Sequence, residues 1–148
     1  MNLILDYFGR MHPLLLHFPI AVLWLGALAE ATRVWREAPS TGRAVVWLMG
    51  IGALAALAAA GSGWLLAAHE RVRSDQRETL ELHRWLGLAT AVAACLSWAA
   101  AASWRETPSL ARRWLRRLCV MGTAALVTVA SHLGATIVWG KDWFSLQS

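Results

Sequence analysis

The sequence predicts an all-α integral membrane protein, an up-and-down bundle of four helices forming one domain. Three observations predict it. Of the 148 residues, 57% are hydrophobic and only 16% are charged, where an ordinary soluble domain carries about a quarter charged residues. Four runs, Met11–Ala29, Ala44–Ala68, Trp85–Trp104 and Leu118–Gly140, contain no Asp, Glu, Lys or Arg. Ten tryptophans stand against one tyrosine and three phenylalanines, an aromatic usage that suits the membrane–water boundary. Disorder, a disulfide scaffold and an ordinary soluble enzyme are excluded.

Taken in order, Asn2–Phe8 reads as a short amphipathic segment lying at the interface. The four runs are about 19 to 25 residues long, and a helix needs roughly 20 to cross the hydrocarbon. Lipid offers no partner for backbone amides, so each run must satisfy its own as a helix. The spans fall at about 13–33, 43–69, 80–104 and 112–139. The connections Arg33–Arg43, Glu70–Arg84 and Arg105–Arg117 are short and charged, which makes consecutive helices antiparallel neighbours. Pro19 either kinks the first helix or begins it, leaving His12 and His17 ahead of it. Alanine is abundant in the second and third helices, favouring close contact through small residues. No internal repeat, low-complexity tail or long linker is evident. Nor is a cleavable signal peptide expected: Ala27-Leu28-Ala29 has the form of a cleavage site, but the N-terminus is acidic rather than basic.

Orientation follows from the basic residues. The first and third connections carry Arg33, Arg36, Arg43, Arg105, Arg112, Arg113, Arg116 and Arg117. On the other face, Arg10, Arg71, Arg73, Arg77, Arg84 and Lys141 are interleaved with acids. The positive-inside rule then places both termini and the second connection outside. The arginines flank spans, so anionic lipid is their expected partner and nucleic acid is not. Glu30 and the arginine connections read as ordinary solvated helix ends.

Five histidines, His12, His17, His69, His83 and His132, all fall toward the outer side once the helices alternate. Ionisable residues within a bilayer are costly and are functional candidates by default. Depth can be read at about 1.5 Å per residue from the inner arginines. His17 and His132 share one level, and His12 and His83 share a shallower one across the diagonal. His69 lies at the outer edge and reads as a polar anchor. Histidines at equal depth on different helices are what a bis-imidazole metal or haem site in a bundle core requires. His17, His132, His12 and His83 are the candidate ligands, with His17 and His132 ranked first because interfacial solvation explains them least.

No Cys-x-x-Cys-His occurs, which excludes covalent c-type attachment. Cys95 and Cys119 stand alone and read as packing residues. No triad, phosphate loop or His-Glu-x-x-His motif is present. Independent catalysis is therefore not expected. Glycines accompany the histidines: Gly61 and Gly63 on the second helix, Gly87 after His83 and Gly134 after His132. A flat macrocycle between helices needs such gaps, and Gly87 and Gly134 are placed with the ligands as cofactor contacts. Haem b, one or two, fits this chemistry best, and copper is the alternative.

The segments His12-Pro13-Leu14-Leu15-Leu16-His17-Phe18-Pro19, His83-Arg84-Trp85-Leu86-Gly87 and His132-Leu133-Gly134-Ala135-Thr136-Ile137-Val138-Trp139-Gly140 resemble the DUF2231 family of small bacterial membrane proteins. The resemblance covers nearly the whole chain, with one departure at Ala135, where a second glycine is expected. It implies kinship with di-haem b-type membrane cytochromes and association with cytochrome c domains. The expected function is electron transfer near the outer face, with a c-type cytochrome, a quinol or a larger respiratory or photosynthetic complex as partner. Two other readings stay open: a non-redox accessory subunit of a membrane complex, and a histidine-based metal-handling protein.

Overall fold

In a computed structural model, the described residues are 3–36, 38–69, 73–103 and 109–140. The helices are α1 (Leu3–Arg10), α2 (His12–Leu15), α3 (His17–Thr32), α4 (Pro39–His69), α5 (Arg77–Ala102) and α6 (Leu110–Trp139). A 3₁₀ turn at Ser74–Gln76 leads into α5. Helices α2 and α3 follow each other across Leu16, so that His12–Thr32 forms one apolar span. The others are Pro39–Ala68, Ser74–Ala102 and Leu110–Trp139. The described residues thus form an all-α membrane bundle with four helices long and apolar enough to span, and the protein belongs in a lipid membrane.

The break at Leu16 has a chemical cause. Pro19 carries no N–H, so the carbonyl of Leu15 loses its helical partner. Pro13, in the first turn of α2, likewise costs nothing there and sets the chain for a new start. Helix α1 lies against α4, where a Cβ on Gly9 would come within 3.1 Å of the Leu66 amide nitrogen. Its Leu3, Ile4 and Tyr7 remain exposed, as an interfacial segment requires.

In the bundle, α3 packs on α4, α4 on α5 and α5 on α6, and the ring closes along a less extensive α3–α6 seam. The core is built from small and medium side chains, among them Leu23, Met49, Ala53, Ala94, Val120 and Ala124. In lipid there is little hydrophobic drive between helices, so close backbone approach and interhelical hydrogen bonds hold them. The Ser97 and Thr123 hydroxyls, 2.8 Å apart, join α5 to α6. Trp24 Nε1 donates to Thr128 Oγ1 across the α3–α6 seam at 3.1 Å.

The expectation of no internal repeat is overturned. The α5–α6 hairpin repeats the α3–α4 hairpin at a fixed offset of 71 residues, the separation of His12 from His83. Helices α4 and α6 begin at equivalent residues, Pro39 and Leu110. Buried positions recur in the same register: Leu23 with Ala94, Gly26 with Ser97, Met49 with Val120, Ala56 with Val127. Few identities accompany this register, among them His12 with His83, Ala59 with Ala130 and Gly63 with Gly134.

Candidate functional site

His12, at the start of α2, and His83, in the second turn of α5, are equivalent residues of the two hairpins, and the fold brings them together. Their ring centroids are 6.3 Å apart and their planes cross at 73°. His12 Nδ1–H donates to the Ala59 carbonyl at 2.9 Å. His83 Nδ1–H donates to the Ala130 carbonyl at 2.8 Å. Both bonds span 47 residues, and the acceptors Ala59 and Ala130 are themselves equivalent. The buried Ser62 hydroxyl also donates to Ala59 O, at 2.9 Å, and lies 3.1 Å from His12 Nδ1.

Each accepting carbonyl is uncovered by a glycine four residues on, Gly63 after Ala59 and Gly134 after Ala130. A helical carbonyl points along the axis toward residue i+4, so a side chain there would stand in the way of an outside donor. A Cβ on Gly63 would lie 2.8 Å from His12 Cε1, and one on Gly134 would lie 3.0 Å from His83 Cε1. Each imidazole therefore rests on a glycine of the neighbouring helix. A carbonyl can only accept, so the proton of a neutral ring is fixed on Nδ1 and the lone pair on Nε2. That is the arrangement by which outer hydrogen bonds orient a ligating imidazole.

The other sequence-predicted residues fall elsewhere. His17 on α3 and His132 on α6 are exposed positions. Five residues separate His17 from His12, a rotation of about 140° around a helix of 3.6 residues per turn. His132 lies midway between Ala130 and Gly134, so it faces away from the surface those two present to His83. A Cβ on Gly87 or Gly61 would meet nothing within 4 Å. His69 ends α4, and its side chain lies outside the described residues. Cys95 and Cys119 are half-buried and free. Among the described residues, no group of three or more His, Cys, Asp or Glu is placed to hold a metal ion.

A second polar cluster occupies the opposite end of the bundle, where solvated ends were expected. Glu30 is 1% exposed. Its Oε1 accepts from Arg116 Nε at 3.0 Å and lies 3.7 Å from Arg117 Nε. Its Oε2 lies 3.5 Å from Arg33 Nε, and Arg33 is also 1% exposed. Closure of α3 on α6 buries these groups. The available signal was the match in depth between Glu30 near the end of helix one and Arg116 near the start of helix four.

Beside the histidine pair, Arg84 reaches toward α4. Its Cζ stands 3.8 Å from the centroid of the Trp64 ring, and Trp64 meets Trp85 edge-on at 5.8 Å. Trp64 directly follows Gly63, on which His12 rests. The Arg84 Nε is buried and has no hydrogen-bond partner among the described residues.

Fold and site together define a small polytopic membrane protein with two imidazoles meeting between diagonal helices near one end of the bundle. The chain belongs to the DUF2231 family, described as "Predicted membrane protein", whose profile matches residues 10–143. No curated protein and no solved structure matches the chain.

Proposed function

We propose that the protein is a membrane b-type cytochrome or haem-binding subunit, with His12 and His83 as the two axial ligands. The observation that carries the reading is the pairing of two imidazoles whose Nδ1 protons are both committed to backbone carbonyls. Their ring centroids stand 6.3 Å apart, close enough for both imidazoles to reach one ion through metal–nitrogen bonds of about 2 Å. Haem would need only two ligands from the protein, because the macrocycle would supply the remaining donors itself.

Bound haem would supply one-electron chemistry. The protein's part is to hold the two rings in one tautomer and one orientation on rigid helices, with Ser62 supporting the carbonyl that orients His12. The arginine distribution supports placing the histidine end at the periplasmic face of a bacterial inner membrane. A c-type cytochrome, a quinol or a larger respiratory or photosynthetic complex is the fitting partner, and independent enzymatic turnover is not part of the reading.

The deciding experiment is a reduced-minus-oxidised absorption spectrum of the purified protein. A sharp α band that is lost in both His12→Ala and His83→Ala supports the assignment, and no band overturns it. The same pair of imidazoles also suits a two-coordinate copper(I) ion, the second reading. Metal analysis finding copper and no iron would select it.

A further inference from the structure

The two halves of the site match in their ligands but differ in what surrounds them. The equivalents of Arg84, Trp64 and Trp85 in the other hairpin are Pro13, Ala135 and Leu14. At the position that follows the histidine, a cation therefore stands in one hairpin and a proline in the other. A pair of equivalent imidazoles cannot by itself choose between the two ways round of a ligand held between them, whereas a single charged group can.

We infer that Arg84 is the anchor for a carboxylate of the group held by His12 and His83, and that it fixes the orientation of that group. Three features argue for it. Arg84 adjoins a proposed ligand, so its position is tied to the site. Its guanidinium is parked on the Trp64 face, which orients the planar fork and leaves its edges to a carboxylate. Its Nε is buried with no hydrogen-bond partner among the described residues, and a buried guanidinium donor left unpaired is costly. Haem carries two propionate carboxylates, the kind of acceptor that an arginine fork matches in shape and charge. The inference rests on the haem reading above.

The test compares haem with its dimethyl ester, in which both carboxylates are blocked, by titrating each into the haem-free protein in detergent. Wild type is expected to bind haem roughly tenfold or more tightly than the ester, the scale of a charge-assisted hydrogen bond. Arg84→Gln is expected to lose that preference while binding the ester as wild type does, which also shows that the variant is folded. Arg84→Lys, which keeps the charge but not the fork, is expected to recover part of it. Equal preference in wild type and Arg84→Gln overturns the inference and leaves the haem reading standing. Failure of wild type to bind either compound with a bis-imidazole spectrum overturns both.

Discussion

Glu30 Oε1 lies 3.0 Å from both Nε and Nη2 of Arg116, tying α3 to α6 across the least extensive seam of the bundle. The equivalent positions of the other hairpin hold Ala101 and Val45, both buried and apolar. One seam is therefore closed by charge and its counterpart by packing. The repeat shows what each position accepts.

That comparison yields the first prediction. Glu30→Ala leaves Arg116 buried without its carboxylate and should cost about 3–5 kcal/mol. Combining it with Arg116→Val supplies the apolar pair found at the other seam and should restore part of the loss, with the rest held by Arg33, which stays buried beside the deleted carboxylate. Thermal unfolding of the three proteins in detergent measures this. A double variant as unstable as the sum of its single changes would show that the pair is not interchangeable with packing.

The glycines beneath the imidazoles give a second. Gly63→Ala and Gly134→Ala place a methyl group 2.8 Å and 3.0 Å from the rings of His12 and His83 and should dislodge them from their carbonyls. Haem recovered per chain, assayed as the pyridine complex, should fall severalfold in both. Gly61→Ala and Gly87→Ala enter open space and should keep full haem while gaining up to about 1 kcal/mol of helix stability. Haem loss in Gly87→Ala at the level of Gly134→Ala would return Gly87 to the site.

A third separates the two histidine pairs. Replacing His12 or His83 by Ala should abolish the bis-imidazole spectrum, since on the proposed reading each would supply one of the two protein ligands. Replacing His17 by Ala should leave one haem per chain intact. If the His17 and His132 variants lose the spectrum while His12→Ala retains it, the ligands are the deeper pair and the present assignment is wrong.

The fourth concerns orientation. The arginine excess on the first and third connections predicts that a reporter fused after Ser148 is active only in the periplasm. Cytoplasmic activity would place the histidine pair at the inner face.

The sequence by itself determined the class, the four apolar runs and the expected relative levels of the histidines along them. It could do so because lipid demands an uncharged helix of fixed minimum length, and because depth advances by a constant rise per residue. Depth alone therefore placed His12 level with His83. Only the tertiary structure decided which pair meets. Facing depends on rotation, at about 100° per residue, and packing of α2 against α4 and of α5 against α6 turns His12 and His83 toward each other. The same dependence hid the 71-residue repeat, which is written mainly in burial, with few identities such as Ala59 with Ala130 and Gly63 with Gly134. It also hid Glu30, whose position at a helix end reads as solvated until α6 closes over it and Arg116 supplies the counter-charge.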